Sequence, residues 1–232
     1  RIADESMATS DLATWAAERA LADAGISAAD IDLIIVCTAT PDMFFPSVAC
    51  LVQDKLRATN AAAFDLAAGC SGFVYGLVTA AQFVRTGAYK NVLVIGSEVL
   101  SRIIDWEDRN TCILFGDGAG AAVVSETEPG YGLLGFELGA DGSGGDLLKL
   151  PAGGSRLPAS VETVTQRLHY VHMNGNEVFK FAVKVMGEAA LKAVEKAGLR
   201  AEDIDCLIPH QANERIIISA AKRLKLPMEK VI

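Results

Sequence analysis

The sequence predicts an α/β fold built as two related halves, and three observations lead there. Residues 31–37 and 91–96 are largely apolar and β-branched, as strands buried on both faces of a parallel sheet are. From Cys70 to Val84 almost every position is apolar or small, which reads as a helix buried on nearly all sides. Finally, residues 20–35 can be laid over residues 193–208: both run from a helix end through a glycine and an Asp-Ile-Asp loop into an apolar strand. The register holds through the loop, which favours a duplicated half-domain.

In chain order, Ser10 and Asp11 predict a cap for an amphipathic helix over 12–24 that Gly25 closes. Residues 30–38 predict a buried strand, 38–46 a loop with two prolines, 47–56 a helix and 62–66 a strand. The central helix starts at Cys70 and ends about Arg85 and Gly87, and 91–96 is the next buried strand. A polar loop over 97–110 precedes strands at 111–115 and 119–125, joined by a Gly116-Asp117-Gly118 hairpin, and a further strand at 132–139. Residues 141–166, rich in Gly, Pro, Ser and Leu, form a long irregular excursion of a kind that is often functional. A helix over 174–197 capped by Gly198, a strand at 205–209 and a helix over 213–224 complete the chain, which stops where a strand starts.

Composition narrows the function classes. A 51% hydrophobic, 6% aromatic chain suits a packed α/β core rather than disorder. The net charge of −8 argues against general nucleic-acid binding. Five cysteines without metal-like spacing fit a reducing compartment better than a disulfide framework. No apolar run reaches the length of a membrane span, and a cytoplasmic protein is expected. Gly116 to Ala121 matches the G-x-G-x-x-A dinucleotide pattern in form, but that fingerprint needs a helix after the glycines and here a strand continues.

The chemistry centres on Cys70. At the start of a helix, unpaired N–H groups and the positive end of the dipole favour a thiolate, so a lowered thiol pKa is expected. Gly69 and Gly72 leave room for a substrate carbonyl. A free cysteine is also commonly a small buried hydrophobe, so its neighbours have to decide. The internal echo supplies one: the second copy's strand runs into Pro209-His210-Gln211-Ala212-Asn213, and ligands of open α/β sheets gather at the carboxyl ends of strands. Of the three histidines, His210 has the position a catalytic partner of Cys70 needs, whereas His169 and His172 sit in or near the long excursion.

Together Thr9-Ser10-Asp11-Leu12-Ala13, Phe45-Pro46-Ser47, Phe64-Asp65-Leu66, Gly69-Cys70-Ser71-Gly72-Phe73, Asp108-Arg109, Phe115 to Ala121, Gly175-Asn176-Glu177-Val178-Phe179 and Pro209 to Asn213 resemble, in this order, the β-ketoacyl-acyl-carrier-protein synthase III family. The resemblance implies a thiolase-like fold of two halves, here 1–126 and 127–232, with mixed sheets, a buried helix layer and a homodimeric assembly. It implies that Cys70 carries the acyl group of an acyl-CoA as a thioester. Malonyl on acyl carrier protein then loses CO2 and attacks that thioester, while His210 stabilises the enolate. No cofactor and no metal is implied, only the two substrates.

By the same resemblance Arg109, Asn176, Phe45 and Asn213 contribute to substrate binding, with Arg109 against the CoA adenine, Asn176 near the pantetheine arm and Phe45 reaching across the dimer. Asn213 belongs to the His-Gln-Ala-Asn motif and is not the family's catalytic asparagine, which is expected beyond Ile232. Lys180, Arg215, Lys222 and Arg223 match a basic surface for the acidic carrier protein. The duplication itself predicts that the second half continues for on the order of 50–80 further residues. The rival readings are another thiolase-fold enzyme (a thiolase, a 3-hydroxy-3-methylglutaryl-CoA synthase or a polyketide-type condensing enzyme) and a non-catalytic relative that binds acyl carriers.

Overall fold

The computed structural model describes residues 1–232. The chain forms two compact units: Arg1–Arg102 with Gly116–Leu133, and Ile103–Phe115 with Leu134–Ile232.

The first unit is a four-stranded sheet with helices on both faces. Helix α1 (Thr9–Ala24), strand β1 (Leu33–Cys37), helix α2 (Val48–Leu56), strand β2 (Ala62–Leu66), helix α3 (Gly72–Arg85), strand β3 (Asn91–Val99) and strand β4 (Asp117–Ser125) follow in sequence. The sheet order is β2-β1-β3-β4; the first three strands are parallel and β4 runs antiparallel to β3. Side chains alternate across a strand, so β1 feeds two cores. Ile34 and Val36 meet α1 and α2 through Ala13, Ala17, Leu21, Val48 and Val52. Leu33, Ile35 and Cys37 join Ala80 of α3 on the other face. With both faces covered, β1 is buried at all five positions, which is why its sequence is continuously apolar.

Local chemistry sets the ends of these elements. Gly25 and Gly87 take left-handed backbone after α1 and α3, where a Cβ would be strained. Asp65 of β2 accepts from Val48 N–H and Ala49 N–H at 2.7 and 2.8 Å and so satisfies the first turn of α2. The Ser47 hydroxyl accepts from Cys50 N–H at 3.2 Å.

The second unit is built on helix α5 (Gly175–Lys196) against helix α6 (Glu214–Arg223). A Cβ on Gly187 would come within 2.6 Å of Arg223 Cδ, so that crossing needs glycine. A two-stranded antiparallel ribbon, β5 (Leu148–Lys149) with β6 (His172–Met173), and the short helix α4 (Val161–Thr165) occupy the excursion. Gly198 is left-handed after α5, as its place in the sequence requires.

Several expectations are corrected. Residues 111–115 are turns, organised by Asp108, whose carbonyl accepts from Thr111 N–H at 3.2 Å and Cys112 N–H at 3.0 Å. There is therefore no hairpin at Gly116-Asp117-Gly118; Asp117 opens β4 and pairs with Val99 of β3. Residues 132–139 have no strand partner, and Gly135 lies against the α5 backbone instead: a Cβ there would sit 2.5 Å from the Ala193 carbonyl. The predicted strand at 205–209 is reduced to one bridge, Leu207 with Val231. Helix α3 is not buried on all sides: Val74 on its outer side is 51% exposed. Ser10 and Asp11 lie inside α1 rather than before it; Asp11 accepts from the Ala8 N–H at 2.8 Å, while Ser10 and Lys55 bond through side chains at 2.6 Å. No helix is long and apolar enough to cross a membrane.

Candidate active site

Strands β1, β2 and β3 end at one edge of the parallel sheet, and Cys70 sits just past it. Residues 69–71 form a single 3₁₀ turn between β2 and α3. Gly69 enters that turn at φ 51°, and Ser71 N–H donates to the Ala68 carbonyl at 3.2 Å. Cys70 is thus one turn ahead of α3, and the Ser71 side chain caps none of the helix's leading amides.

The expected lowering of the thiol is overturned. Burial of the sulfur pushes the Cys70 thiol up, the Glu98 carboxylate adds to that, and the Cys70 amide works in the opposite direction. The residue is open to solvent as a whole, yet loss of hydration is still the largest influence on its thiol. The dipole argument from sequence was local, whereas a neighbouring carboxylate from β3 could not be seen there.

Glu98, which the sequence did not single out, organises this end of the sheet beside Cys70. From the carboxyl end of β3 it accepts from Ala39 N–H at 2.8 Å and from the hydroxyls of Thr38, at 3.3 Å, and Thr40. Thr40 in turn accepts from Val99 N–H at 2.9 Å. The chain leaving β1 is held by this carboxylate at the sheet edge where Cys70 stands. The available signal was a Thr-x-Thr directly after one buried strand and an acidic residue ending another.

Cys37 shows the contrast. Burial pushes its thiol up to about 11, partly offset by the Gly76 amide. At neutral pH it is a protonated packing residue and not a second nucleophile.

In the second unit His210 follows the buried Pro209. His210 is open to solvent as a residue, but partial loss of hydration around its ring pushes the imidazole below the ordinary histidine value, so at neutral pH the ring is uncharged and still has one N–H to donate. Gln211 beside it donates from Nε2 to the Ile232 carbonyl at 2.8 Å. Asn213 is the N-cap of α6 and accepts from Arg215 N–H at 2.9 Å.

The remaining candidates are all exposed. Arg109 is at the crest of the turns over 105–112 and makes no ion pair, because Asp108 spends its carboxylate on Asn110 and Thr111. Asn176 lies in the first turn of α5, but the cap of that helix is Asn174, whose side chain accepts from Glu177 N–H at 3.4 Å. Phe45 is 84% exposed, next to Phe44 at 82%. Lys180 pairs with Glu177 at 2.7 Å. Arg215 and Lys222 share the outer face of α6 with Ile218 and have no acidic partner. Arg223 is committed elsewhere: it pairs with Glu188 at 3.1 Å and donates to the Lys184 carbonyl at 3.0 Å, so it ties α6 to α5.

Known proteins bear on this arrangement. Residues 64–142 match the model of the 3-oxoacyl-[acyl-carrier-protein] synthase III family, and residues 194–232 match that of its C-terminal part. The β-ketoacyl-[acyl-carrier-protein] synthase III of Caldanaerobacter subterraneus subsp. tengcongensis is 66% identical over 231 residues, an alignment that spans all of this chain and 70% of the relative. Solved structures of the synthase III from Thermus thermophilus and Aquifex aeolicus superpose with TM-scores of 0.90 and 0.89, at 49% and 46% identity, again over all of this chain and 70% of theirs. The α/β architecture is accordingly the thiolase-like one, and the chain belongs to the β-ketoacyl-[acyl-carrier-protein] synthase III family.

Proposed function

We propose that Cys70 and His210 are the residues with which this synthase III chain starts fatty acid synthesis, by decarboxylative condensation of an acyl-CoA with malonyl-acyl carrier protein. The observation that carries this reading is the position of Cys70, in a glycine-entered turn past the ends of three parallel strands. The Cys70 thiol gives up its proton and its sulfur attacks the acyl-CoA carbonyl. The new S–C bond replaces the one to CoA, which leaves as its thiol. Malonyl-acyl carrier protein then loses CO2, and its α-carbon forms a C–C bond to the acyl carbon as the Cys70 sulfur departs. A neutral His210 N–H donates to the malonyl thioester oxygen as negative charge develops there, the kind of fixed dipole that contributes most to such steps.

Around that centre we assign Arg109 to the CoA nucleotide, Asn176 to the pantetheine arm, Phe45 to the acyl pocket of a homodimer, and Asn213 to support of the His210 loop. A planar guanidinium suits stacking on an adenine. Arg215 and Lys222, which have no acidic partner, form with the Glu177-paired Lys180 the docking face for the acidic carrier protein, where exposed cations steer association. Five free thiols accord with a reducing, cytoplasmic setting.

Intact-mass measurement after incubation with a short acyl-CoA tests the nucleophile. The wild-type protein gains one acyl group and Cys70→Ala gains none; an equal adduct on the alanine variant rejects the assignment. The polyketide-type rival is separated by the carrier: a synthase III of fatty acid synthesis condenses with malonyl on its own organism's general acyl carrier protein, whereas the rival prefers a dedicated one.

A further inference from the structure

The turns that carry Arg109 are held by a contact that the reaction itself does not call for. Arg167, in the turn after α4, donates from Nε to Asp105 Oδ2 at 2.9 Å and from Nη2 to Asp105 Oδ1, a two-pronged ion pair. The same guanidinium lies 3.4 Å from the Glu107 carboxylate and 5.1 Å from the centre of the Tyr170 ring. Four residues on, Val171 N–H donates to the Ile103 carbonyl at 2.9 Å. The excursion therefore grips the strand-like segment before Arg109 at two places, one main-chain and one side-chain.

Asp105 is also the residue that starts the turns. Its carboxylate accepts from Glu107 N–H at 2.9 Å, and its carbonyl accepts from Asp108 N–H at 3.0 Å. Arg167 stands at φ 60°, in the left-handed position after a helix where glycine is usual. Arg57 and Lys225 do the same after other helices, but Arg167 is the one among the three with an ion pair, so here the strained backbone serves a side-chain contact. A cleft of about 380 Å³ opens beside the pair, lined by Asp105, Asp108, Arg167, Tyr170 and His172 among others. Arg109, exposed and without an ion pair, projects from a loop that is anchored at buried Ile104 and Thr111, and the Arg167 pair is the side-chain contact that ties its first turn to the segment after α4.

We propose that Arg167 and Asp105 form a clamp that fixes the Arg109 turn, and that Arg167 is thereby a positioning residue for the nucleotide end of the acyl-CoA. This rests on the assignment of Arg109 to that nucleotide. A fixed recognition loop binds without an ordering cost, so loosening it weakens binding of the part of the substrate that the loop reads.

The test compares acetyl-CoA with acetyl-pantetheine, which has the same thioester and no nucleotide, as acyl donors to the full-length enzyme. For Arg167→Gln the half-saturating concentration of acetyl-CoA rises about tenfold, that of acetyl-pantetheine stays at the wild-type value, and the maximal rate is kept. Arg167→Lys, which keeps a cation beside Asp105 and leaves the Asp105 turn intact, recovers part of the loss. If Arg167→Gln matches wild type on acetyl-CoA while Arg109→Ala loses the preference for the nucleotide donor, the clamp is wrong and the Arg109 assignment stands. If Arg167→Gln weakens both donors equally, the contact is structural only and the inference falls. If Arg109→Ala keeps the full preference, the Arg109 assignment fails and takes the clamp's role with it.

Discussion

The sulfur of Cys37 occupies the space that a β-carbon on Gly76 would need: the two would be 2.5 Å apart, and Val94 Cγ1 would be 2.9 Å away. Gly72, one turn earlier, is similarly close to Cys37 Cβ at 3.2 Å. Helix α3 thus seats its glycine face on the end of β1, and the depth of that seat sets where the Cys70 turn stands. Gly76→Ala gains about 1 kcal/mol in helix propensity, but forces overpacking that costs about 1–3 kcal/mol or more. A net loss of up to about 2 kcal/mol in urea unfolding is expected, together with slower acylation. Adding Cys37→Ala to it frees part of the space, so the double variant loses less than the sum of the singles. Strict additivity would show that the two do not meet.

Glu98 gives a prediction in pH. Its carboxylate, beside Cys70, favours the protonated thiol. Glu98→Gln removes the charge, keeps an oxygen for Ala39 N–H, and leaves Thr38 and Thr40 an amide they can bond by rotating their hydroxyls. The Cys70 thiol then ionises at lower pH. The iodoacetamide alkylation profile of Cys70 moves toward acid and its rate at pH 7 rises. A profile that stays in place, or moves toward base, removes the electrostatic role.

Elements whose causes are local were legible, and those fixed by distant partners were not. Strand β2 lies at Ala62–Leu66 as read, bounded by turn residues on both sides. Helices α1 and α5 end at Gly25 and Gly198 because a left-handed glycine is written in the sequence itself. Gly116-Asp117-Gly118, by contrast, has the local look of a hairpin. Asp117 instead accepts from Ala3 N–H at 2.7 Å across 114 residues and from Ser101 N–H at 2.8 Å. Residues 132–139 have strand propensity but form no strand, because propensity alone does not make a ladder. In the site, Cys70 could be found from its turn and helix. The direction of its thiol shift could not, since it depends on burial and on a carboxylate 28 positions later in the chain.

His210 predicts a different pH limb. Burial holds its imidazole below the ordinary histidine value, so the neutral ring is the form present at pH 7 and protonation comes only at more acid pH than usual. Condensation by pre-acylated enzyme should begin to fall only at a more acid pH than an ordinary histidine would set. His210→Ala should keep acyl transfer to Cys70 and lose about 10²-fold or more in condensation. Single-turnover assays with malonyl-acyl carrier protein separate the two steps. Condensation near the wild-type rate in that variant would end the enolate role.

The basic residues of α6 separate into two kinds, and that separation can be measured. Arg215 and Lys222 are unpaired on the outer face with Ile218, whereas Arg223 is bonded to Glu188 and the Lys184 carbonyl. Charge reversal at the outer pair, Arg215→Glu with Lys222→Glu, should raise the half-saturating concentration of malonyl-acyl carrier protein about tenfold, mostly through slower association, with little change in acylation by acyl-CoA. Raising the ionic strength should shrink the difference, because screened exposed charges steer less. Arg223→Ala should behave otherwise. It opens space against Gly187 and removes a partly exposed pair, so it lowers the unfolding free energy by about 1 kcal/mol, and carrier-protein kinetics change little. If Arg223→Ala gave the carrier-protein defect and the outer pair gave none, the docking face would have to be moved to the α5 side of the helix.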